Sequence, residues 1–131
     1  MKITSTIARY LLGLLFLVFG LNGFLQFLKM PPPTGAAAQF FGALFVSHEI
    51  AIIMAVQLIC GVLLLANRFV PLALLALGAV IVNIVLFHVF MNPSGLPPAL
   101  IATILWILAA LGVPGFFAFV FNPKPSLRTE I

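Results

Sequence analysis

The 131-residue chain is 64% hydrophobic and 6% charged, with a mean hydropathy of +1.33. That composition leaves too little polar surface to cover a water-soluble globule and excludes that class. The formal charge of +4 comes from six cations scattered beside apolar runs, so they mark orientation in a lipid bilayer and not a nucleic-acid-binding face.

At about 20 residues per spanning helix, the chain is expected to form one domain of four crossings with short connections. Residues 1–9 are polar and carry Lys2 and Arg9, and Tyr10 to Leu28 is an apolar run of spanning length. The run is too long for a signal-peptide core ending near Ala36-Ala37-Ala38, and Asn22 and Gln26 belong in a packed helix. A first span is therefore expected over 10–28, with Gly13, Gly20 and Gly23 available for close helix contact. Lys29 and Pro31-Pro32-Pro33 end it, because proline lacks the amide donor and biases the preceding residue away from helix.

A short apolar helix over 36–46 follows, opened by Thr34 as a cap and interrupted by Ser47-His48-Glu49. It reads as an interfacial or re-entrant helix across the mouth of the bundle. The second span is expected over 49–66, with Gln57 and Cys60 near its centre, and Asn67-Arg68 is a tight turn. The third span covers 69–91, with Pro71 in its first turn, and Asn92-Pro93-Ser94-Gly95 is a turn sequence. The fourth covers 98–121, with a kink or early stop at Pro114-Gly115, and 122–131 is a solvated tail.

The expected fold is thus all-α: a polytopic transmembrane four-helix bundle with a short interfacial helix between its first and second spans. Lys2, Arg9, Arg68, Lys124 and Arg128 flank one side and Lys29 alone the other. The positive-inside rule then places both termini in the cytoplasm.

A polar group in hydrocarbon must be paired or must serve a ligand. Asn22 and Gln26 are four residues apart, as are His88 and Asn92, so on continuous helices each pair shares a face about 40° wide. Together with Glu49 they are the candidate ligand-binding residues, converging in the outer half of the bundle, with Gln57 and Asn83 as a floor. His88 offers an imidazole that can donate or accept a proton, and Glu49 opens a helix where a carboxylate gains from the helix dipole. Interhelical hydrogen bonding is the competing role for the amides. Trp106 lies deep enough to be core, with an indole N–H that needs a partner. A single cysteine, Cys60, excludes an intramolecular disulfide, and the scattered His, Glu and Cys show no metal-ligand spacing.

Four features resemble the DoxX-like family: Gly13-Leu-Leu-Phe-Leu-Val-Phe-Gly-Leu-Asn-Gly23, Glu49 opening the second span, Gly61-Val-Leu-Leu-Leu before the basic turn at Arg68, and the segment Asn83 to Pro93. The resemblance implies a four-helix protein of the bacterial inner membrane. Relatives in that family belong to thiosulfate:quinone oxidoreductases, are membrane partners of soluble oxidative-stress enzymes or, in a distant animal branch, assist receptor assembly, so the resemblance implies a fold family and not one assigned activity.

The leading expectation is a small accessory subunit that binds a quinone-like ligand in the outer polar pocket and takes electrons from a membrane or soluble redox protein partner. His88, Asn22 and Gln26 would donate to carbonyl oxygens there. The alternative is a scaffold or assembly factor that binds another membrane protein through small-residue faces, such as Gly13, Gly20 and Gly23 or Ala102, Ala109 and Gly112. Transport of a small solute or lipid requires a homo-oligomer, because the chain has no inverted repeat.

Overall fold

The computed structural model describes residues 2–124, and all its regular structure is helical. The elements are α1 (Lys2–Leu25), α2 (Gly35–Val46), α3 (Glu49–Ala66), α4 (Val70–Phe90), a 3-10 turn at Pro93–Gly95, α5 (Leu96–Leu111) and α6 (Phe116–Val120). Four helical stretches, the last formed by the 3-10 turn with α5, are long and apolar enough to cross a membrane. Their outward faces carry Leu14, Ile52, Leu72, Val82 and Ile104 exposed, which on a span of this composition means contact with lipid.

α1 lies along α3 and α5, and α4 lies along α3 and α5, so each of the four packs against two others. The core between them is Leu12 and Phe16 of α1, Leu64 of α3, Leu74 and Leu77 of α4, and Ala109 and Ala110 of α5. Phe116 and the partly buried Trp106 close one end. The Trp106 Nε1–H donates to the Leu74 carbonyl at 2.7 Å, which supplies the partner that a buried indole needs.

α1 and α3 approach closely because glycines line their contact. A Cβ on Gly20 would lie 2.9 Å from the Leu58 amide nitrogen, and one on Gly61 would lie 2.8 Å from that of Leu17. Those neighbours are main chain and cannot swing aside. Ala102 and Ala109 of α5 are buried inside the bundle, so the small-residue faces expected to receive a partner are spent on internal packing.

Three boundaries differ from expectation. α1 starts at Lys2 instead of residue 10, because its polar first turns are also packed: Ser5 and Ala8 are buried, and a Cβ on Gly112 would touch the Ser5 side chain. It ends at Leu25 instead of 28, with Gln26 in the left-handed region at φ 51°. The span expected over 98–121 stops at Leu111, and Gly115 at φ 72° turns the chain into the separate α6. Thr34 does occupy the residue before α2, yet its hydroxyl makes no capping bond. Of the expected tail 122–131, residues 125–131 lie outside the described residues.

The glycine contact is directly testable. Gly61→Val should lower stability by about 1–3 kcal/mol, seen as an earlier thermal transition of the purified protein in mild detergent. Gly42→Ala on α2, where no atom lies within 4 Å of the added carbon, should leave the transition unchanged or raise it.

Candidate functional site

The polar side chains of the spans mostly serve the main chain. The Leu28 N–H donates to Asn22 Oδ1 at 2.7 Å, tying down the strand of chain that leaves α1. Gln26, expected to share a helical face with Asn22, is instead the first residue beyond the helix and is exposed. The pair therefore does not present two amides to one pocket. Helix propagation stops there because Gln26 adopts the left-handed conformation, and the three prolines at 31–33 prevent its resumption.

His88 and Asn92 also differ from the expected face. α4 ends at Phe90, so Asn92 lies in the turn, and the His88 Nδ1–H donates to the Asn92 carbonyl, not its amide, at 3.0 Å. The Asn92 Oδ1 accepts from the Ser94 hydroxyl at 2.7 Å. The imidazole packs closely against Gly95, where a Cβ would come within 2.2 Å of its Cε1. His88 is thereby a clasp that fixes the turn between α4 and α5.

Glu49 is exposed at the first residue of α3, where its carboxylate complements the helix dipole, and its N–H donates to the Ser47 hydroxyl at 3.3 Å. The preceding His48, in the left-handed region at φ 64°, breaks the chain between α2 and α3 as the Ser47-His48-Glu49 sequence implied. No hydrogen bond among the described residues joins Glu49, His88, Asn22 or Gln26 to one another. The described clefts have other linings.

Two polar residues read as a pocket floor separate. Gln57 is 6% exposed in the α3 core face, beside Cys60 and Gly61. Asn83 points the other way. It is exposed on the outer side of α4, with its Nδ2–H donating to the Ala79 carbonyl at 2.9 Å. At 1.5 Å per residue, Asn83 is about 10 Å from the Phe90 end of α4 and about 20 Å from the Val70 end, well inside a hydrocarbon layer.

Asn83 lines a shallow cleft of about 160 Å³ with Phe40 of α2 and Leu86, Phe87, Phe90 and Met91 of α4 and its end. The cleft wall is aromatic: Phe87 packs against Phe40, Phe41 and His88 with ring centroids 5.5, 5.1 and 5.0 Å apart. After its bond to Ala79 the amide of the exposed Asn83 retains one N–H and its carbonyl oxygen, with no hydrogen bond to either among the described residues. Among the described residues it is a lipid-facing amide in a spanning helix with bonding capacity left over, and it is the candidate site; the Ser5 Oγ of α1, which also lacks a partner, is buried inside the bundle.

Arg9 was expected to mark only sidedness. Its guanidinium donates to the Leu64 carbonyl near the α3 C-terminus and lies 4.4 Å over the Tyr10 ring. A cation there satisfies carbonyls that the helix end leaves free. Comparison of the chain with known protein families, with curated proteins and with solved structures finds no match.

The His88 clasp makes a quantitative prediction. Gly95→Ala should destabilise the protein by about 1–3 kcal/mol, because the added methyl displaces the imidazole. In a His88→Ala background the same change should cost much less, and a double-mutant cycle of unfolding measurements reads the difference.

Proposed function

We propose that the chain is a small DoxX-like accessory subunit of the bacterial inner membrane that works by lateral contact within the bilayer. The observation that carries this reading is the Asn83 amide, open toward lipid in an aromatic cleft between α2 and α4. Beyond its bond to the Ala79 carbonyl, an amide in that position gains from any group in the membrane that bonds to its remaining N–H and oxygen. The other polar side chains of the expected pocket support the same reading from the opposite direction, since Asn22, His88 and Asn92 are engaged by their own turns.

Both termini are assigned to the cytoplasm on the charge distribution. Lys2, Arg9, Arg68 and Lys124 fall at one end of the bundle, where Arg9 meets the last turn of α3, and Lys29 falls at the other. The association with redox metabolism rests on the DoxX-like layout of Gly13–Gly23, Glu49, Gly61–Leu65, Arg68 and Asn83–Pro93.

A quinone-like ligand is the second reading. Three phenylalanines, Phe40, Phe87 and Phe90, surround a spare amide N–H, a combination suited to a flat ring bearing a carbonyl. Gentle extraction from native membranes, followed by mass spectrometry of the bound molecules, separates the two. Lateral protein contact predicts a protein partner retained by the wild type and reduced several-fold in Asn83→Leu, with His88→Ala showing no comparable loss. A stoichiometric quinone lost in Asn83→Leu establishes the second reading instead. If Asn83→Leu alters neither, the cleft is not the functional site.

A further inference from the structure

We propose that the partner seated at Asn83 is a second copy of this chain, so that the protein is a two-fold dimer joined along α4. The proposal rests on the reading of the cleft as a lateral contact and adds the identity of what fills it. A carboxamide with one free N–H and a free carbonyl is self-complementary. Two copies related by a two-fold axis along the membrane normal can each donate to the other's oxygen, which satisfies both amides at once. A second copy also brings its Asn83 to the same depth in the bilayer without adjustment, whereas any other partner must present a matching group at that level.

The surroundings of the amide suit a helix more than a small molecule. Leu75, Ala79, Asn83, Leu86 and Phe90 fall within an arc about 80° wide at 100° per residue, and all of them are exposed. One turn from the amide, Ala79 offers only a methyl group, which lets a neighbouring backbone come close enough for the amides to meet. The remaining side chains form the ridge that would interdigitate above and below. The cleft beside Asn83, at about 160 Å³, is of a size to receive one large apolar side chain or ring. Phe40 limits the cleft on the α2 side, so the approaching helix is confined to the α4 face.

The experiment is cysteine cross-linking of the full chain in its own membranes, in a Cys60→Ala background that removes the native thiol. Leu86→Cys on the α4 ridge should give a covalent dimer with a short bis-maleimide, and Ile104→Cys, equally exposed to lipid on α5, should not. Adding Asn83→Leu to Leu86→Cys should reduce the dimer about tenfold, the effect of losing two membrane-buried hydrogen bonds. Asn83→Gln, which keeps the amide, should restore much of it.

Absence of a dimer through Leu86→Cys, or a dimer indifferent to Asn83→Leu, overturns self-association. If Asn83→Leu instead releases a different protein or a quinone from the native preparation, self-association fails while the cleft remains a binding site. If Asn83→Leu changes nothing bound to the protein, both the dimer and the lateral-contact reading fail.

Discussion

Every main-chain donor or acceptor cut loose inside a bilayer must find a partner, because no water is present to supply one. Much of this structure answers that constraint. Helix ends and breaks occur at Gln26, His48, Asn67, Met91 and Gly112, and side chains near several of them turn back onto the backbone. Asn22 holds the Leu28 N–H, His88 holds the Asn92 carbonyl, and Arg9 holds the Leu64 carbonyl. Trp106 reaches Leu74 across the interface between α4 and α5. Two of these bonds, Arg9 to Leu64 and Trp106 to Leu74, join different helices, beside a contact between α1 and α3 that glycine makes close, and the other two fix local turns.

The same constraint explains why Asn83 stands apart. Its bond to the Ala79 carbonyl is made within a helix that is already hydrogen-bonded, so it stabilises no loose end. The residue spends a polar group in hydrocarbon without a structural return inside the chain. Under the proposed reading an external bonding partner accounts for that placement, and the neighbouring aromatic cleft gives such a partner a shaped surface to meet.

The spans were legible in the sequence because hydropathy and length report the bilayer directly. Glu49–Ala66 falls where Glu49, with Asn67-Arg68, placed it, and the break at Ser47-His48 follows from the same residues. The site was not legible, for two physical reasons. First, the pairs Asn22 with Gln26 and His88 with Asn92 share a face only on unbroken helices, and both helices stop between the partners. A positive φ at Gln26 leaves no mark in composition. Second, α4 is apolar on every side, so periodicity carried no information about its rotation, and Asn83 was placed inward when it faces out. The early start of α1 had a faint trace in Ser5 and Ala8, small residues three apart that pack inward, but Lys2 and Arg9 masked it.

The end of the bundle that gathers the chain's first turn and the connection after α3 also carries α6. Phe69, Phe119 and Phe121 are 71%, 82% and 73% exposed there, beside exposed Lys2, Arg68 and Lys124. Rings of this kind seek the acyl boundary, and ammonium and guanidinium groups seek the head groups above it. Pulled in opposite directions along the membrane normal, the two sets hold the molecule at a fixed height. Piston-like displacement of the bundle is thereby resisted, and what freedom remains is rotation and diffusion in the plane.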